Sequence, residues 1–370
     1  MAPGFVTECS PFDVQVLALD ARGQVVSGFD EILSVFSMSN TLTLNTLVMR
    51  NGVASGSLRI GLVYRDVANL TVLASTTRVK HSLARQQIFV GDIPGYQFEL
   101  VAFFGRNLRS IWVDGTGFGV AGGAFGLVVE RVGGVWREVE SGLGADLLGA
   151  TGFGPEEAYL VGDGGRLLLR EEGRWGSVSS GVVTQLLSAH RGPGRDDDVW
   201  VVGVNGVVLR GRRHEWRQMP SPDPQAALRA VWVARSEQAY VGSADGMVYR
   251  WDGAGWTGWD SGLENGLQGL WGVSEGEIYA TGGLGAIARF NGTTWELQPM
   301  LPEFTAALRD ASALAGEVIV VGSNGAVIVQ RNGCWVRINP PPENPDMRSV
   351  AVGGSLVFGT SGGGGIYRLH

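Results

Sequence analysis

Four arginines recur at one spacing. Arg109, Arg229, Arg309 and Arg348 each follow the first residue of a short apolar run, and Gln268 takes the same slot in a further run. A guanidinium is always charged and offers a planar fork of N–H donors, so a convergent set would hold a carboxylate or phosphate through bidentate contacts. The competing reading is structural: each arginine pairs with an acid or carbonyl of its neighbouring unit. Acids recur as well, at Glu157, Asp198, Glu237, Glu277 and Glu317. Their regularity predicts a structural role, with the carboxylates accepting turn amides. The run Asp196 to Asp198 has the oxygen chemistry for calcium, but that ion takes six to eight oxygens and no loop of alternating acids surrounds the run. His81, His190, His214 and His370 show no metal-ligand spacing, and no Ser/His/Asp set, Walker loop or dinucleotide fingerprint is present. The sequence therefore predicts no metal and no cofactor.

The elements that must position these residues are written in a repeat. Trp136, Trp175, Trp216, Trp256, Trp295 and Trp335 recur with a period of about 40 residues, the period of propeller-type arrays. Ahead of each tryptophan lies an apolar run opening at Leu108, Leu147, Leu186, Leu228, Leu267 or Leu308, and a seventh run opens at Met347. Between run and tryptophan sits a Gly-x-x-Gly turn or a close variant, as at Gly123 and Gly126 or Gly162 and Gly165. The units alternate or stay apolar for a few residues between glycines and lack the i, i+3, i+4 pattern of helices. A four-stranded unit buries both faces only between copies of itself, so an all-β radial array follows.

The last unit, Met347 to His370, ends after "GGIYRL", one strand short. The stretch "YQFELVAF", residues 96–103, is the expected missing outer strand, which predicts seven blades over residues 96–370; six blades and a fragment is the alternative. Residues 1–92 do not follow the repeat. "FDVQVLALDARGQVVSGF" and the strand-like segments after it predict a β-sandwich, joined through "GDIPG" with Pro94 stiffening the connector. The wording "PFDVQVLALDARGQVVSGF" resembles bacterial immunoglobulin-like or filamin-like modules. The repeats, with turns such as "RWDGAGW" and "RFNGTTW", resemble bacterial propellers of the BNR, Asp-box and photosystem II assembly-factor type, although the Ser-x-Asp-x-Gly-x-x-Trp order is incomplete in every unit. That resemblance implies the fold and leaves function open. Sialidases place an arginine cluster at a propeller centre, but the Phe-Arg-Ile-Pro-like segment and the tyrosine nucleophile with its paired acids are missing here.

Composition narrows the partner. The net charge of −7 argues against a nucleic-acid surface, and no uncharged apolar stretch is long enough to span a membrane. The start "MAPGFVTECS" carries no leader, so an exported protein would have lost one. Cys9 and Cys334 exclude a cysteine-rich zinc site, and spacing leaves their pairing open. The repeating tryptophans read as packing between blades. The variable linkers "QMPSPDPQA", "TGWDSGLENG", "LQPMLPEFTA" and "INPPPENPD" emerge on one face, and Trp259, Met300 and Phe304 are the apolar groups there most suited to a partner.

The expectation is a non-enzymatic binding or scaffold protein, extracellular, cell-surface or periplasmic, that recognises a protein or glycan through the propeller linkers. Two alternatives stand beside it: a carbohydrate-active hydrolase or lyase with the arginines lining the channel mouth, and a structural spacer or adhesin segment.

Overall fold

The computed structural model describes residues 5–7, 12–20, 22–37, 41–42, 46–58, 60–61, 67–74, 82–91, 97–194, 197–298, 304–331, 334–338, 340–341 and 343–370. Cys9, His81, Pro94, Asp196 and Met300 lie outside these residues, and so does any pairing of Cys9 with Cys334. Two compact units make up the chain: the first comprises Met1–Gly95, Pro299–Phe304 and Ile328–Ile338, the second the rest.

Seven four-stranded antiparallel sheets form a propeller. Six of them use four consecutive strands; in blade 1 these are Leu108–Val113, Gly119–Gly123, Val128–Val132 and Val135–Val139. The inner strands of blades 2 to 6 are Leu147–Gly154, Leu186–Arg191, Leu228–Arg235, Leu267–Ser274 and Leu308–Leu314. Blade 7 takes Met347–Gly353, Leu356–Ser361 and Gly365–Leu369 from the end of the chain, and its fourth strand, Phe98–Phe103, from upstream of blade 1. Phe98 pairs with Leu369 and Phe103 with Gly365. Each inner strand packs on the next around the ring, and that of blade 7 packs on that of blade 1. The count is therefore seven, and the six-blade alternative is excluded. Among the described residues the only helical pieces are three-residue 3-10 turns such as Asp163–Gly165.

Burial explains the period. The repeating tryptophans lean back onto the preceding blade: Trp136 lies edge-on to Phe358 of blade 7 at 5.5 Å, Trp216 to Tyr159 of blade 2 at 5.8 Å and Trp256 to Trp200 of blade 3 at 6.4 Å. Their other neighbours are the fully buried aliphatic residues of the two inner layers, as where Leu160 and Leu168 meet Trp175. The glycine turns serve the linkers. At Gly162 a Cβ would overlap the carbonyl oxygen of Asp146, and at Gly165, whose φ is +71, it would overlap that of Val182, so only glycine lets the linker lie against the turn.

The periodic acids are structural, but the expected turn-amide partners are wrong for those whose partners are described. Glu157 of blade 2 accepts from Arg212 of blade 3 at 2.8 and 2.9 Å and from Tyr159 Oη at 2.6 Å. Asp198 and Glu237 both hold Arg210, which joins blades 3 and 4. Glu277 takes Tyr279 Oη and Arg289. Each acid stands at or just before the start of its second strand; Glu157 is buried and Asp198 and Glu277 half-buried, where an unpaired charge is costly, and the long arginines of the third strands reach them as well as the exposed Glu237. One more clamp, Arg170 to Glu130 at 2.7 Å, joins blades 2 and 1.

In the first unit, the described strands form a five-stranded sheet in which Phe5–Thr7 runs parallel to Ser82–Gly91, with two further strand pairs, Phe12–Leu17 with Val53–Leu58 and Thr41–Leu42 with Ile60–Gly61.

Candidate functional site: the axial channel

Each inner strand carries a bulge after its first residue. In blade 1, Leu108 pairs with Gly123 and Ser110 with Gly122, leaving Arg109 as the extra residue, and the same shift recurs in every blade. An extra residue reverses the alternation of the strand. The second position is partly exposed in every blade and the fifth in blades 1, 3 and 5, so that in blade 1 Arg109 and Trp112 reach the channel while Ile111 turns into the core. The channel they line has a volume of about 920 Å³.

At the second position stand Arg109, Arg229, Arg309 and Arg348, on blades 1, 4, 6 and 7. Blade 5 supplies Gln268, and blades 2 and 3 supply Leu148 and Leu187. Arg309, Arg348 and Arg109 are consecutive around the ring and form a triad; Arg229 stands apart, beyond Gln268. The sequence-predicted quartet thus becomes a triad and an outlier. Arg348 is held below the usual guanidinium range by burial and then by the positive charges of Arg309 and Arg109.

The acids beside the triad come from the linkers. Asp146 immediately precedes the inner strand of blade 2: its Oδ2 lies 3.3 Å from Arg109, and its Oδ1 accepts the Phe125 amide at 2.9 Å. Asp346 repeats this before blade 7, with Oδ2 at 3.6 Å from Arg309 and 3.8 Å from Arg348 and Oδ1 accepting the Asn324 amide at 3.0 Å. The structural reading therefore holds for Arg109 and Arg309. Arg348 shares Asp346, the acid before its own strand, and Arg229 has no acid, because Asn107 and Gly266 occupy the slots where the neighbouring blade would supply one. Three guanidiniums face two carboxylates, and no acid among the described residues pairs with Arg229. The Nε–H groups of Arg109, Arg309 and Arg348 are buried and meet no hydrogen-bond acceptor among the described residues.

At the fifth position stand Trp112, His190, Trp232 and Trp271, with Thr151, Ser312 and Ala351 completing the level. His190 of blade 3 accepts the Val233 amide at its Nδ1, 3.3 Å away, and meets the Trp271 ring of blade 5 edge-on at 5.7 Å. Burial, with a contribution from the Arg191 charge, pushes the His190 imidazole down to about 4. On the opposite wall Asp310 accepts Ser349 Oγ at 2.6 Å and the Val350 amide at 3.0 Å, and burial between blades 6 and 7 pushes its carboxyl up to about 6.

The aromatic level was missed in the sequence because strict alternation pairs the second position with the fourth. A signal was present: Trp112, His190, Trp232 and Trp271 each stand four residues after the leucine that opens the run. Of the proposed linker contacts, Trp259 is half-buried, its ring 5.7 Å from Phe290 of the next blade and 5.7 Å beneath the Arg250 guanidinium. Phe304 is buried, with 5% of its surface exposed. Their expected exposure is corrected: Trp259, on an outer strand, is drawn into the seam between blades 4 and 5, and Phe304 is buried. Besides Val183 in a linker, the exposed apolar groups there include Phe125 and Leu284, 71% and 59% exposed. Both sit at turn tips with φ of 55 and 53, a left-handed conformation that bulky residues rarely adopt and that Gly164, Asn205 and Asn324 fill in sibling turns.

No family model matches the chain, and no curated protein matches it. Among solved structures it is similar to YCF48 bound to D1 peptide, at 14% identity and a TM-score of 0.62 over 75% of this chain and 95% of that one. It is similar to a catalytically inactive virginiamycin B lyase from Staphylococcus aureus with quinupristin, at 12% identity and 0.63 over 74% and 99%. It is also similar to the WD40 β-propeller domain of Doa1, at 13% identity and 0.62 over 74% and 97%. At such identities the likeness establishes the propeller, and binding proteins and an enzyme both share it.

Proposed function

We propose that the protein is a non-enzymatic binding module that holds an acidic segment of a protein partner on the face where the linkers and glycine turns meet. The observation that carries this reading is the triad of Arg109, Arg309 and Arg348, three guanidiniums on adjacent blades with two carboxylates between them. Phe125, whose amide shares Asp146 with Arg109, places an exposed aromatic beside that charge. A bulky residue kept exposed in a left-handed turn is a form of strain found at binding sites. The likeness to a propeller that binds a peptide is consistent with this reading.

A glycoside hydrolase at the mouth would need a pair of carboxyl groups free for proton transfer. The nearby acids are engaged: Asp146 and Asp346 by arginines and turn amides, Asp310 by a serine and backbone amides. This favours binding over catalysis. The resemblance of residues 1–92 to immunoglobulin-like modules supports an extracellular, surface or periplasmic setting.

The test is capture of a biotinylated oligoglutamate peptide and its oligoglutamine counterpart. The glutamate peptide should be retained, and the Arg309→Gln/Arg348→Gln pair should weaken retention at least about tenfold, the loss of one charge-assisted contact or more; Phe125→Asn should weaken it less. Equal capture of both peptides would sink the proposal, and retention of glycans on an array with the arginines intact would redirect it.

A further inference from the structure

The channel carries two chemistries at two depths. We infer that it is a binding site for a small anionic molecule with a planar aromatic body, the anion held by Arg109, Arg309 and Arg348 and the ring beside Trp112, His190 and Trp271. This inference is independent of any protein partner.

Size is the first support. The cavity of about 920 Å³ falls within the range of roughly 300–1,000 Å³ typical of small-molecule sites. The second is the separation of the two levels. From the second to the fifth position of an inner strand is three residues, roughly 10 Å at about 3.3 Å each, the span of an anionic head, a short linker and a ring. At the head, the three guanidiniums stay a quarter to a third exposed and share two carboxylates, so Nη–H donors remain to face a carboxylate or phosphate.

The body end is uncharged and built in advance. Trp232 lies against Gly272 of blade 5 and Trp112 against Gly152 of blade 2, where a Cβ on either glycine would press into the indole. The glycines open a slot for each ring, so these walls do not need to be ordered when a ligand arrives, which removes part of the cost of binding. His190 is neutral at physiological pH and accepts through Nδ1, so its proton sits on Nε2. The Trp271 Nε1–H is buried without an acceptor. These walls suit an uncharged aromatic body, and a charged body would not be tolerated there.

The probe is 4-(2-naphthyl)butanoate, compared by titration calorimetry on the full chain with its primary amide and with butanoate. The acid should bind one per chain, the amide at least tenfold more weakly, and butanoate without measurable heat. Arg348→Gln should weaken the acid at least tenfold and leave the amide unchanged. Trp271→Ala should weaken acid and amide alike; should that variant lose its melting transition, Trp112→Phe supplies the same comparison. Equal affinity for acid and amide, an unchanged acid affinity in Arg348→Gln, or no heat with any probe would each overturn the site. Since no peptide enters this experiment, its failure leaves the partner reading standing, and the failure of peptide capture leaves this one standing.

Discussion

At the scale of single residues, the propeller depends on charges that burial makes expensive and partners make tolerable. Glu157 is 5% exposed along its side chain and carries bonds from Arg212, Arg213 and Tyr159. Glu157→Ala should cost about 3 kcal/mol, because it leaves Arg212 beside a hole and Tyr159 Oη without its acceptor; a melt unchanged within error would show that the clamp is dispensable. Asp310 gives the opposite electrostatic signature. Its folded pKa of about 6 lies above the 3.8 of a free aspartate, so the folded state keeps a proton that the unfolded chain has lost. The stabilisation is complete below pH 4 and is lost as pH rises through 6. Asp310→Asn cannot titrate and keeps an acceptor for Ser349, so the fall in Tm of the parent between pH 4.5 and 7.5 should shrink in the variant. Equal slopes would show that Asp310 is solvated by the channel. The arginine spacing was legible in the sequence; the division into triad and outlier was not, because it depends on which blades are neighbours and on whether Asp146, Asn107, Gly266 or Asp346 fills the facing slot.

At the scale of elements, closure rests on one strand. Phe98–Phe103 hydrogen-bonds to Gly365–Leu369, covering that edge and becoming the outer strand of blade 7. A chain starting at Gly105 would expose that edge, and exposed edges pair with other chains. Light scattering should rise on concentration, and Tm should fall, relative to a chain starting at Gln97; a soluble, equally stable truncation would mean that the fourth strand of blade 7 contributes little. The bulge is the other decisive element. An apolar run beginning Leu-Arg reads as a buried strand whichever way it alternates, so the existence and order of the strands were legible while the facing of Trp112 and Trp271 was not. The linkers show the same limit: Trp259 and Phe304 look exposed beside prolines and acids, yet the seam between blades takes in Trp259 and Phe304 is buried.

At the scale of the whole molecule, a chain of net charge −7 carries a local excess of positive charge at one channel mouth. An acidic partner is repelled by the molecule as a whole and attracted only at short range, where salt screens less effectively than it does between distant surface charges. Retention of the oligoglutamate peptide should still fall by about tenfold between 50 and 500 mM salt, since the triad is a quarter to a third exposed. A salt-independent signal would place the contact elsewhere. The sequence by itself determined that the protein is an array of four-stranded sheets, because period, glycine turns and recurrent tryptophans are local patterns that only a self-burying repeat satisfies. It also determined that arginines line one rim, because they occupy one slot of that repeat. Only the tertiary structure decided which three arginines are adjacent, and only it brought the scattered Trp112, His190 and Trp271 to the wall of a channel. Adjacency around a ring, and the reversal that a bulge imposes, are set by the closing of the last sheet on the first and are written in no single repeat.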